Sequence, residues 1–338
     1  MGMKILENIS LKPYNTFGVE ATGRHFAEVS TEEELLHLIK SLDEEMKPFL
    51  LLGCGSNILF TKDFEGTIVK ISTKGVKIIH DLGDEVIISA QAGENWDEFV
   101  EYCVQNGWGG LENLSLIPGN VGTGPVQNIG AYGVEIREVV EEVEAYDRTA
   151  QKVHLFKNAE CEFGYRDSVF KKSRNRYIIL SVTFRLSRKP LLHLDYKDIR
   201  EELLKTHIIS PGIKSIRDAV CAIRRRKLPD PAEIGNSGSF FKNPVIPADK
   251  FSLLKEKFPA VVSYPQGNSV KVAAAWLIEQ CGWKGYRKGD AGVHPNQPLV
   301  LVNYHSASGR EILDLAELIQ ADVRNKFGIS LETEVNIL

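Results

Sequence analysis

The chain has 338 residues, of which 43% are hydrophobic and 25% are charged, and its formal net charge is −4. This length is sufficient for two or three domains with a substantial buried core, and the composition is that of an ordinary globular protein. A slightly acidic chain is unsuited to general nucleic-acid binding, because that function requires a basic surface. A local basic pocket for a phosphorylated small molecule remains compatible with this charge.

The five cysteines are widely spaced and include no Cys-x-x-Cys pair. This pattern predicts reduced thiols in a cytoplasmic protein rather than a disulfide framework or a zinc site. The first residues lack the apolar core of a secretory signal, and no segment approaches the roughly 20 apolar residues that a membrane span requires. We therefore expect a cytoplasmic protein without a membrane partner.

Helices and strands are both predicted in the N-terminal third. A helix is expected at Thr31–Leu42, because Thr31 is a good N-cap, Glu34 completes a capping box and apolar residues recur on one face. KPFLLL predicts a buried strand, and GTIVKIS, GVKIIHD and DEVIISAQAG predict three more, the last two joined by a Leu-Gly turn. A second helix is predicted from Asn95 to Gly107.

The rest of the chain is predicted to contain strands first and then a mixture of helices and strands. EEVEAYD, KVHLF and RYIILSVTFRL are typical of strands. The charged, proline-containing stretch 187–212 marks a boundary, and a helix capped by Ser215 is expected between it and Pro229. Two more helices are predicted at Val270–Cys281 and Arg310–Phe327, each followed by a glycine. This order indicates a β-rich first half and an α+β second half.

The pentapeptide GCGSN places Gly53 and Gly55 directly after an apolar strand. Glycines there allow a tight turn whose N–H groups can face an anion, and Ser56 and Asn57 add short polar side chains. An ordinary turn at the end of a strand is the commoner explanation of such a motif in isolation. The segment is not the dinucleotide-binding fingerprint, which needs a third glycine, and it is not a P-loop.

The segment Ile117–Gly133, IPGNVGTGPVQNIGAYG, is harder to explain as an ordinary loop, because it contains five glycines. Glycine is conformationally costly, so this cluster favours a close approach of the backbone to a large, flat, phosphorylated ligand. Two separate glycine loops in one β-rich half predict a dinucleotide that extends across both.

Five motifs in this order, GCGSN, IPGNVGTGPVQNIGAYG, FGYRDSVF, KLPDP and GNSGSFFKNP, carry a specific resemblance. The chain resembles the UDP-N-acetylenolpyruvoylglucosamine reductase (MurB) family over nearly its whole length, in the subtype with an additional substrate-binding tyrosine loop. The resemblance implies a flavoenzyme of bacterial cell-wall synthesis that binds FAD and consumes NADPH.

The fold class that the resemblance implies is α+β. The FAD-binding half, of the vanillyl-alcohol-oxidase (PCMH) type, would comprise residues 17–188, with two α+β subdomains divided near residue 66. An N-terminal segment (1–16) would precede it, and a linker with the tyrosine loop (189–212) would follow. A C-terminal α+β substrate-binding domain would comprise residues 213–338, and its last strand would return to the active site.

The resemblance also assigns FAD to the two glycine loops and to one arginine. The implied contacts are Gly53, Gly55, Ser56, Asn57, Thr123, Gly124, Gln127, Gly130, Tyr132, Gly133 and Arg224. Neither loop contains the histidine through which some relatives tether flavin covalently, so we expect non-covalent FAD.

Three catalytic residues follow from the family motifs. Ser239 matches the proton donor, and Arg166 and Glu334 match the residues that stabilise the enolate formed from the substrate. Considered without the family, Ser239 would be a turn serine and Arg166 would form a structural ion pair with Asp167 or Glu162. Glu334 would be a solvated side chain.

The other basic and polar residues of the motifs are expected to bind substrate. The implied contacts are Tyr196, Lys227, Asn243 and Gln297, with Lys227 directed to the diphosphate. The alternative for the basic run Arg224–Lys227 is stabilisation of a helix C-terminus. His294 is expected to be structural, and Glu332 is the rival of Glu334. No cluster has metal-ligand spacing, so we expect no catalytic metal.

The expected reaction is reduction of UDP-N-acetylglucosamine enolpyruvate to UDP-N-acetylmuramate by a monomeric enzyme. Two alternatives remain open from the sequence. One is a flavin oxidase of the same superfamily that acts on an alcohol or a sugar, and the other is a non-catalytic UDP-sugar-binding protein that has kept the fold.

Overall fold

The computed structural model describes residues 4–41, 46–173 and 175–338. Helices within these ranges are α1 (Glu32–Ser41), α2 (Trp96–Gln105), α3 (Val169–Lys172), α4 (Lys197–Lys205), α5 (Ile213–Lys227), α6 (Ala248–Lys257), α7 (Ala274–Gln280) and α8 (Gly309–Phe327). Among the residues described, no helix has both the length and the apolar character needed to cross a membrane.

Strands in the same ranges are β1 (Ile5–Ser10), β2 (Thr22–Val29), β3 (Phe49–Leu52), β4 (Ile58–Leu59), β5 (Phe64–Ile71), β6 (Val76–Asp81), β7 (Glu85–Gln91), β8 (Gly130–Ala131), β9 (Val134–Glu135), β10 (Val140–Asp147), β11 (Lys152–Lys157), β12 (Tyr177–Ser187), β13 (Gly235–Ser239), β14 (Val245–Pro247), β15 (Ser263–Gln266), β16 (Ser269–Val272), β17 (Arg287–Lys288), β18 (Ala291–Val293), β19 (Val300–Asn303) and β20 (Asn336–Ile337).

The chain divides into two compact units. The first unit comprises Met1–Ile9, Gly23–Cys54 and Glu65–Arg226, and the second comprises Ser10–Thr22, Gly55–Phe64 and Lys227–Leu338. Each unit is therefore built from chain segments that are far apart in the sequence.

The first unit contains a four-stranded sheet, in the order β1-β2-β5-β3, and helix α1 packs near it. Thr31 caps α1 as predicted, because its Oγ1 accepts from the Glu34 N–H (3.1 Å). The Glu34 carboxylate accepts from the Ser30 N–H (2.8 Å), one residue earlier than a standard capping box requires. Leu35 and Leu38 are buried, and Leu42 of the predicted helix lies outside the described residues.

A five-stranded antiparallel sheet, in the order β11-β10-β12-β7-β6, forms the larger part of the first unit. Its central strand β12 pairs with β10 and β7, so that Val182 lies between Val143 and Ala90. Helix α2 packs on this sheet through aromatic rings, with the centroids of Phe99 and Phe184 5.0 Å apart. The strands predicted in these segments are thus present, and they form one sheet.

The second unit contains a four-stranded antiparallel sheet, in the order β13-β19-β18-β17, and α8 packs against β18 and β19. A three-stranded sheet, β14-β16-β15, and a parallel pair, β20-β4, complete it. The segment from residue 10 to residue 22 belongs here because its carbonyls accept from the second-unit sheet. Thr16 C=O accepts from the Asn236 N–H (2.9 Å), and Phe17 C=O accepts from Asn303 Nδ2 (2.9 Å).

Helix α5 lies in the first unit up to Arg226, whereas the sequence predicts that the C-terminal domain begins at residue 213. The reason is packing, because Ile216, Val220 and Ile223 of α5 are buried together with residues of α4. The predicted cap of this helix is wrong. Ser215 lies inside α5, where its Oγ contacts the backbone of Gly212.

Two other features of the second half differ from the predictions. The predicted helix Val270–Cys281 begins only at Ala274, because the preceding residues form β16, which pairs with β14 and β15. Helices α4 and α6 were not predicted. The other helix, α8, follows its prediction closely and ends at Gly328, whose φ is 64°.

Candidate active site

The glycine-rich segment Ile117–Gly133 folds into two 3₁₀ turns, Val121–Thr123 and Pro125–Gln127, followed by the hairpin β8–β9. The Gly122 N–H donates to the Ala92 C=O (2.9 Å). A Cβ on Gly122 would lie 2.5 Å from the Ala92 Cβ, so this approach requires glycine. The segment is therefore fixed against the end of the five-stranded sheet.

Gly53 of the first glycine loop lies directly against this segment. A Cβ at Gly53 would be 2.6 Å from Asn120 Oδ1 and 3.0 Å from Thr123 Cγ2. The Oδ1 atom of Asn120 is buried and has no hydrogen-bond partner among the described residues. The two loops that the sequence predicts as one dinucleotide site thus adjoin at Gly53, beside an acceptor that lacks a donor.

Arg166 is held in a tight turn next to the same segment. The backbones of Gly164 and Asp167 bond to each other in both directions, at 2.9 and 3.3 Å, and Arg166 takes a φ of 54°. A left-handed φ is uncommon for a residue other than glycine. The Arg166 Nη2 donates to the Gly130 C=O (2.9 Å), so the guanidinium lies over a predicted cofactor residue.

The carboxylates of Glu162 and Asp167, which the sequence offers as structural partners of Arg166, both contact Lys172. The Lys172 Nζ lies 3.1 Å from Glu162 and 3.7 Å from Asp167. These exposed pairs contribute little stability. The side chain of Arg166 is half-buried.

Tyr132 and Arg224 form a second polar contact beside the glycine-rich segment. Their side chains are hydrogen-bonded, and burial raises the pKa of the Tyr132 phenol while the nearby guanidinium partly offsets this increase. Arg224 Nε also donates to the Leu116 C=O (3.1 Å). Helix α5 thus brings a cation to the edge of the predicted FAD-binding segment.

A buried ion pair fixes α5 in that position. Arg217 donates to both carboxylate oxygens of Asp97, at 2.6 and 3.1 Å, and the Leu116 N–H donates to the same carboxylate (2.5 Å). Burial raises the pKa of Asp97, but the hydrogen bonds from Arg217 and Leu116 outweigh it, so the net pKa is lowered. Leu116 links this pair to Arg224.

Tyr196 precedes α4, and its ring lies at right angles to that of Tyr132, with centroids 5.2 Å apart. Asn113, which is buried, donates to the backbone carbonyls of both Tyr132 (3.3 Å) and His193 (3.0 Å). The predicted tyrosine loop is therefore attached to the glycine-rich segment within the first unit.

The second half of the first glycine loop belongs to the second unit. Gly55 has a φ of 68°, and a Cβ there would lie 2.0 Å from the Tyr14 carbonyl oxygen. The Asn57 Nδ2 donates to the Glu334 C=O (3.3 Å), and Ser56 is half-buried. Asn57 therefore lies beside the C-terminal segment.

Ser239 ends strand β13 after an irregularity in its pairing. The register with β19 shifts between Asn236 and Ser239. Gly238 takes a φ of 67°, and its N–H donates to Asn236 Oδ1 (2.9 Å). A bulge of this kind re-aims the following side chain. Phe240 and Phe241, directly after it, are fully buried and anchor the strand.

Glu334 lies in the second unit, paired with the residue that follows Ser239. The Glu334 N–H donates to the Phe240 C=O (2.8 Å), and Phe241 and Thr333 form an antiparallel bridge. Its rival Glu332 is exposed and paired with Lys242 (3.0 Å), whereas Glu334 is half-buried.

Three predicted substrate residues are also in the second unit. Lys227 is the last residue of α5. Asn243 Oδ1 accepts from the Ala274 N–H at the start of α7 (2.9 Å). Gln297 lies in the turn between β18 and β19, where its C=O accepts from the Val300 N–H (3.0 Å). Nearby His294 is buried, and burial lowers its pKa.

The structure thus gathers the predicted residues into two groups. The first unit holds Arg166, Gly53, Thr123, Gly124, Gln127, Gly130, Tyr132, Gly133, Arg224 and Tyr196. The second holds Ser239, Glu334, Gly55, Ser56, Asn57, Lys227, Asn243 and Gln297. Asn113, Asn120 and Asn128, which lie in the first unit with the first of these groups, are not predicted as site residues. Their only signal is their position in or before the glycine-rich segment.

Sequence profiles of two domains match this chain. The profile of the UDP-N-acetylenolpyruvoylglucosamine reductase C-terminal domain matches residues 230–338, and that of an FAD binding domain matches residues 24–155. The UDP-N-acetylenolpyruvoylglucosamine reductase of Pseudomonas putida is 48% identical over 332 residues, which cover 98% of each chain. The chain belongs to the UDP-N-acetylenolpyruvoylglucosamine reductase family.

Other members of the family agree with this assignment. The reductase of Flavobacterium johnsoniae is 49% identical over 99% of this chain and 100% of its own length. The crystal structure of the reductase from Thermus caldophilus covers 99% of both chains with a TM-score of 0.68 at 24% identity, which establishes the common fold. The predicted family, the α+β fold class and the oxidoreductase class are confirmed.

The residues of the reductase fit the FAD that the family binds. The two glycine loops adjoin at Gly53, where a Cβ would meet the side chains of Asn120 and Thr123, and the buried Asn120 Oδ1 can accept from a hydroxyl or N–H group of a nucleotide. The half-buried cation Arg224 suits a phosphate. FAD as the cofactor is confirmed by the FAD binding domain profile.

Proposed function

We propose that this reductase converts UDP-N-acetylglucosamine enolpyruvate to UDP-N-acetylmuramate in peptidoglycan precursor synthesis, with NADPH as the reductant. The observation that carries the proposal is 48% identity to a named reductase over 98% of both chains. Bound FAD would accept hydride from NADPH and supply it to the terminal alkene carbon of the substrate. The residues of the chain then have two tasks, which are to stabilise the resulting enolate and to protonate its carbon.

Arg166 stabilises the negative charge that develops on the substrate carboxylate. A guanidinium is always charged and can bind a carboxylate with two N–H groups. The turn Gly164–Asp167 supports this role, because its strained φ at Arg166 directs the side chain over Gly130. Strained backbone is typical of functional positions.

Ser239 donates the proton. A serine hydroxyl is a weak acid, but the enolate carbon is a strong base, so a fixed hydroxyl can protonate it once the charge has formed. The bulge at Gly238 and the buried phenylalanines that follow support this role, since they fix the hydroxyl on a rigid strand.

Glu334 polarises the same intermediate. Its support is the backbone bond to Phe240, the residue after Ser239 (2.8 Å between Glu334 N and Phe240 O). Glu332 is unsuited to the role because it is exposed and paired with Lys242.

The nucleotide-sugar part of the substrate is bound by Lys227, Asn243, Gln297 and Tyr196. The bond from the Ala274 N–H fixes the Asn243 amide oxygen, so its NH2 group is the part that can donate to a ligand. Lys227 would face the diphosphate. Substrate binding would thus reside mainly in the second unit.

FAD is bound without a covalent link, because neither glycine loop contains a histidine. Its proposed contacts are Gly53, Gly55, Ser56, Asn57, Thr123, Gly124, Gln127, Gly130, Tyr132, Gly133 and Arg224.

All five cysteines are free thiols, which supports a reducing, cytoplasmic location.

The visible spectrum of the purified protein tests this proposal. We expect flavin absorbance that is released by acid denaturation, bleached by NADPH without oxygen, and restored by the enolpyruvyl substrate. A colourless protein, or a reduced protein that reoxidises rapidly in air but does not respond to the substrate, would contradict it.

A further inference from the structure

Asn128 joins the glycine-rich segment to the turn that carries Arg166. Its Nδ2 donates to the Gly164 C=O (2.8 Å), which is the first carbonyl of that turn. The same Nδ2 donates to Glu135 Oε2 (2.9 Å), and Oδ1 accepts from the Arg137 N–H (3.2 Å). Both Nδ2 protons and the amide oxygen are thus bonded inside the protein.

The backbone of Asn128 is unusual as well. It takes a left-handed conformation, with φ 46° and ψ 62°, directly after the turn Pro125–Gln127, and the residue is fully buried. Asparagine tolerates this region better than most residues. A buried side chain in such a conformation, with its amide fully bonded, is a rigid spacer rather than a ligand contact.

The bond from Asn128 is the shorter of two hydrogen bonds at the Gly164 carbonyl. The internal bond of the turn, from the Asp167 N–H, is 3.3 Å long, against 2.8 Å for the Asn128 amide. Ser168 Oγ donates to the Val126 C=O (2.6 Å) and fixes the far end of the turn to the same segment. Arg166 is therefore located by side-chain bonds at both ends of its turn.

We infer that Asn128 is a positioning residue for Arg166, which acts by setting the turn that aims the guanidinium at the substrate. This inference rests on the proposed role of Arg166 in stabilising the enolate. Removing the Asn128 amide would leave the charge of Arg166 unchanged but would displace its guanidinium. A displacement of about 1 Å can lower a rate by about 100-fold.

The test compares Asn128→Gly with Asn158→Gly in the FAD-loaded enzyme. Glycine keeps the left-handed backbone while removing the amide. Asn158 is the control because its Nδ2 also donates to two carbonyls of the first unit, those of Arg137 (2.8 Å) and Val140 (2.7 Å), and neither bond reaches the turn Gly164–Asp167.

For Asn128→Gly we expect reduction of the flavin by NADPH to keep its rate, and reoxidation by the enolpyruvyl substrate to slow 10- to 100-fold. In an Arg166→Ala background the Asn128→Gly change should slow reoxidation by less than twofold, because both changes act through one group. Asn158→Gly should leave both half-reactions within twofold. Equal slowing of both half-reactions, or a full additional loss in the double variant, would overturn the inference.

Hydrogen exchange of the turn separates this inference from the proposed function. In Asn128→Gly, but not in Asn158→Gly, the amides of residues 164–168 should exchange at least tenfold faster. Unchanged exchange would overturn the inference even in an active enzyme. If the wild-type enzyme failed to reduce the enolpyruvyl substrate, the proposed function would fall, while the exchange result would still show whether Asn128 holds the turn.

Discussion

Arg166 and Ser239 differ in what attaches their segments to the neighbouring structure. Arg166 lies in the first unit on a left-handed turn that side chains fix from outside, through Asn128 and Ser168. Ser239 lies in the second unit on a strand, and main-chain pairing with β19 holds the segment. Main-chain bonds survive most substitutions, whereas a turn held by side chains can be displaced by a single change.

The largest expected effect concerns Ser239. Ser239→Ala removes only a hydroxyl and leaves the main-chain ladder intact, so we expect turnover to fall about 1,000-fold, within the range of general acid catalysis. Flavin binding and its reduction by NADPH should persist in stopped-flow measurements. Ser237→Ala is the control, because Ser237 Oγ lies near Thr16 Oγ1 (3.3 Å) and only stability should change. Near-normal turnover of Ser239→Ala would remove it from its role.

Glu334→Gln should lower turnover about 100-fold, since an amide cannot act as a general acid toward the intermediate. The matched change Glu332→Gln should keep turnover within twofold, because it alters only an exposed ion pair with Lys242. Steady-state kinetics with saturating NADPH distinguishes the two. Equal effects of the two changes on turnover would contradict the assignment of the role to Glu334 rather than Glu332.

The stability of the first unit should depend on the Asp97–Arg217 pair. We expect Asp97→Asn to lower the free energy of unfolding by about 2 kcal/mol at pH 7, which is less than the roughly 3–5 kcal/mol of a fully buried pair because the Asp97 side chain is 25% exposed. The pKa of Asp97 is lowered in the folded state. The contribution of Asp97 to stability is therefore complete at a pH above its ordinary pKa of about 4, and it is lost as the pH falls below that value.

Denaturant unfolding followed between pH 7 and pH 2.5 measures this difference. The difference in the free energy of unfolding between wild type and Asp97→Asn should decrease as the pH falls through about 4. Asp218→Asn, which breaks an exposed pair with Lys214, should cost less than 1 kcal/mol. A gap that widens in acid would contradict the assignment of the Asp97 pKa.

The smallest effect is expected at the junction of the glycine loops. Gly53→Ala would place a methyl group 2.6 Å from Asn120 Oδ1, so the Asn120 side chain must shift or the loops must separate. We expect FAD affinity to fall about tenfold, or about 1.4 kcal/mol. Gly212→Ala, which meets no atom within 4 Å, serves as the control. Unchanged FAD affinity in Gly53→Ala, measured by fluorescence titration, would separate this junction from the cofactor.

Local signals in the sequence predicted the elements whose stability is local. Helix α2 begins at its Asn95 cap, where Asn95 accepts from the Glu98 N–H (3.1 Å), and α8 ends at Gly328. Helix α4 has only a weak signal in the sequence, because it is strongly charged and buries only Ile199 and Leu203. The sequence predicts helix at strand β16, because its pairing with β14, more than 20 residues earlier, is not visible in a local pattern.

The candidate site shows the same limit. Family motifs supplied Arg166, Ser239 and Glu334, but no pattern in the sequence predicts the left-handed φ of Arg166. The role of Asn128 depends on its hydrogen bond to Gly164, which lies 36 residues away. A bond between residues so far apart produces no periodic pattern in the sequence. The physical support of a site is therefore harder to predict than its reacting groups.

A crystal structure of the reductase with FAD and the enolpyruvyl substrate would test whether these groups act on one molecule. We predict that the Ser239 hydroxyl, the Arg166 guanidinium and the Glu334 carboxyl all lie within about 3 Å of the enolpyruvyl moiety, which is hydrogen-bonding distance. A complex in which Ser239 points away from the enolpyruvyl carbon, or in which Arg166 contacts neither the substrate nor its carboxylate, would contradict the account.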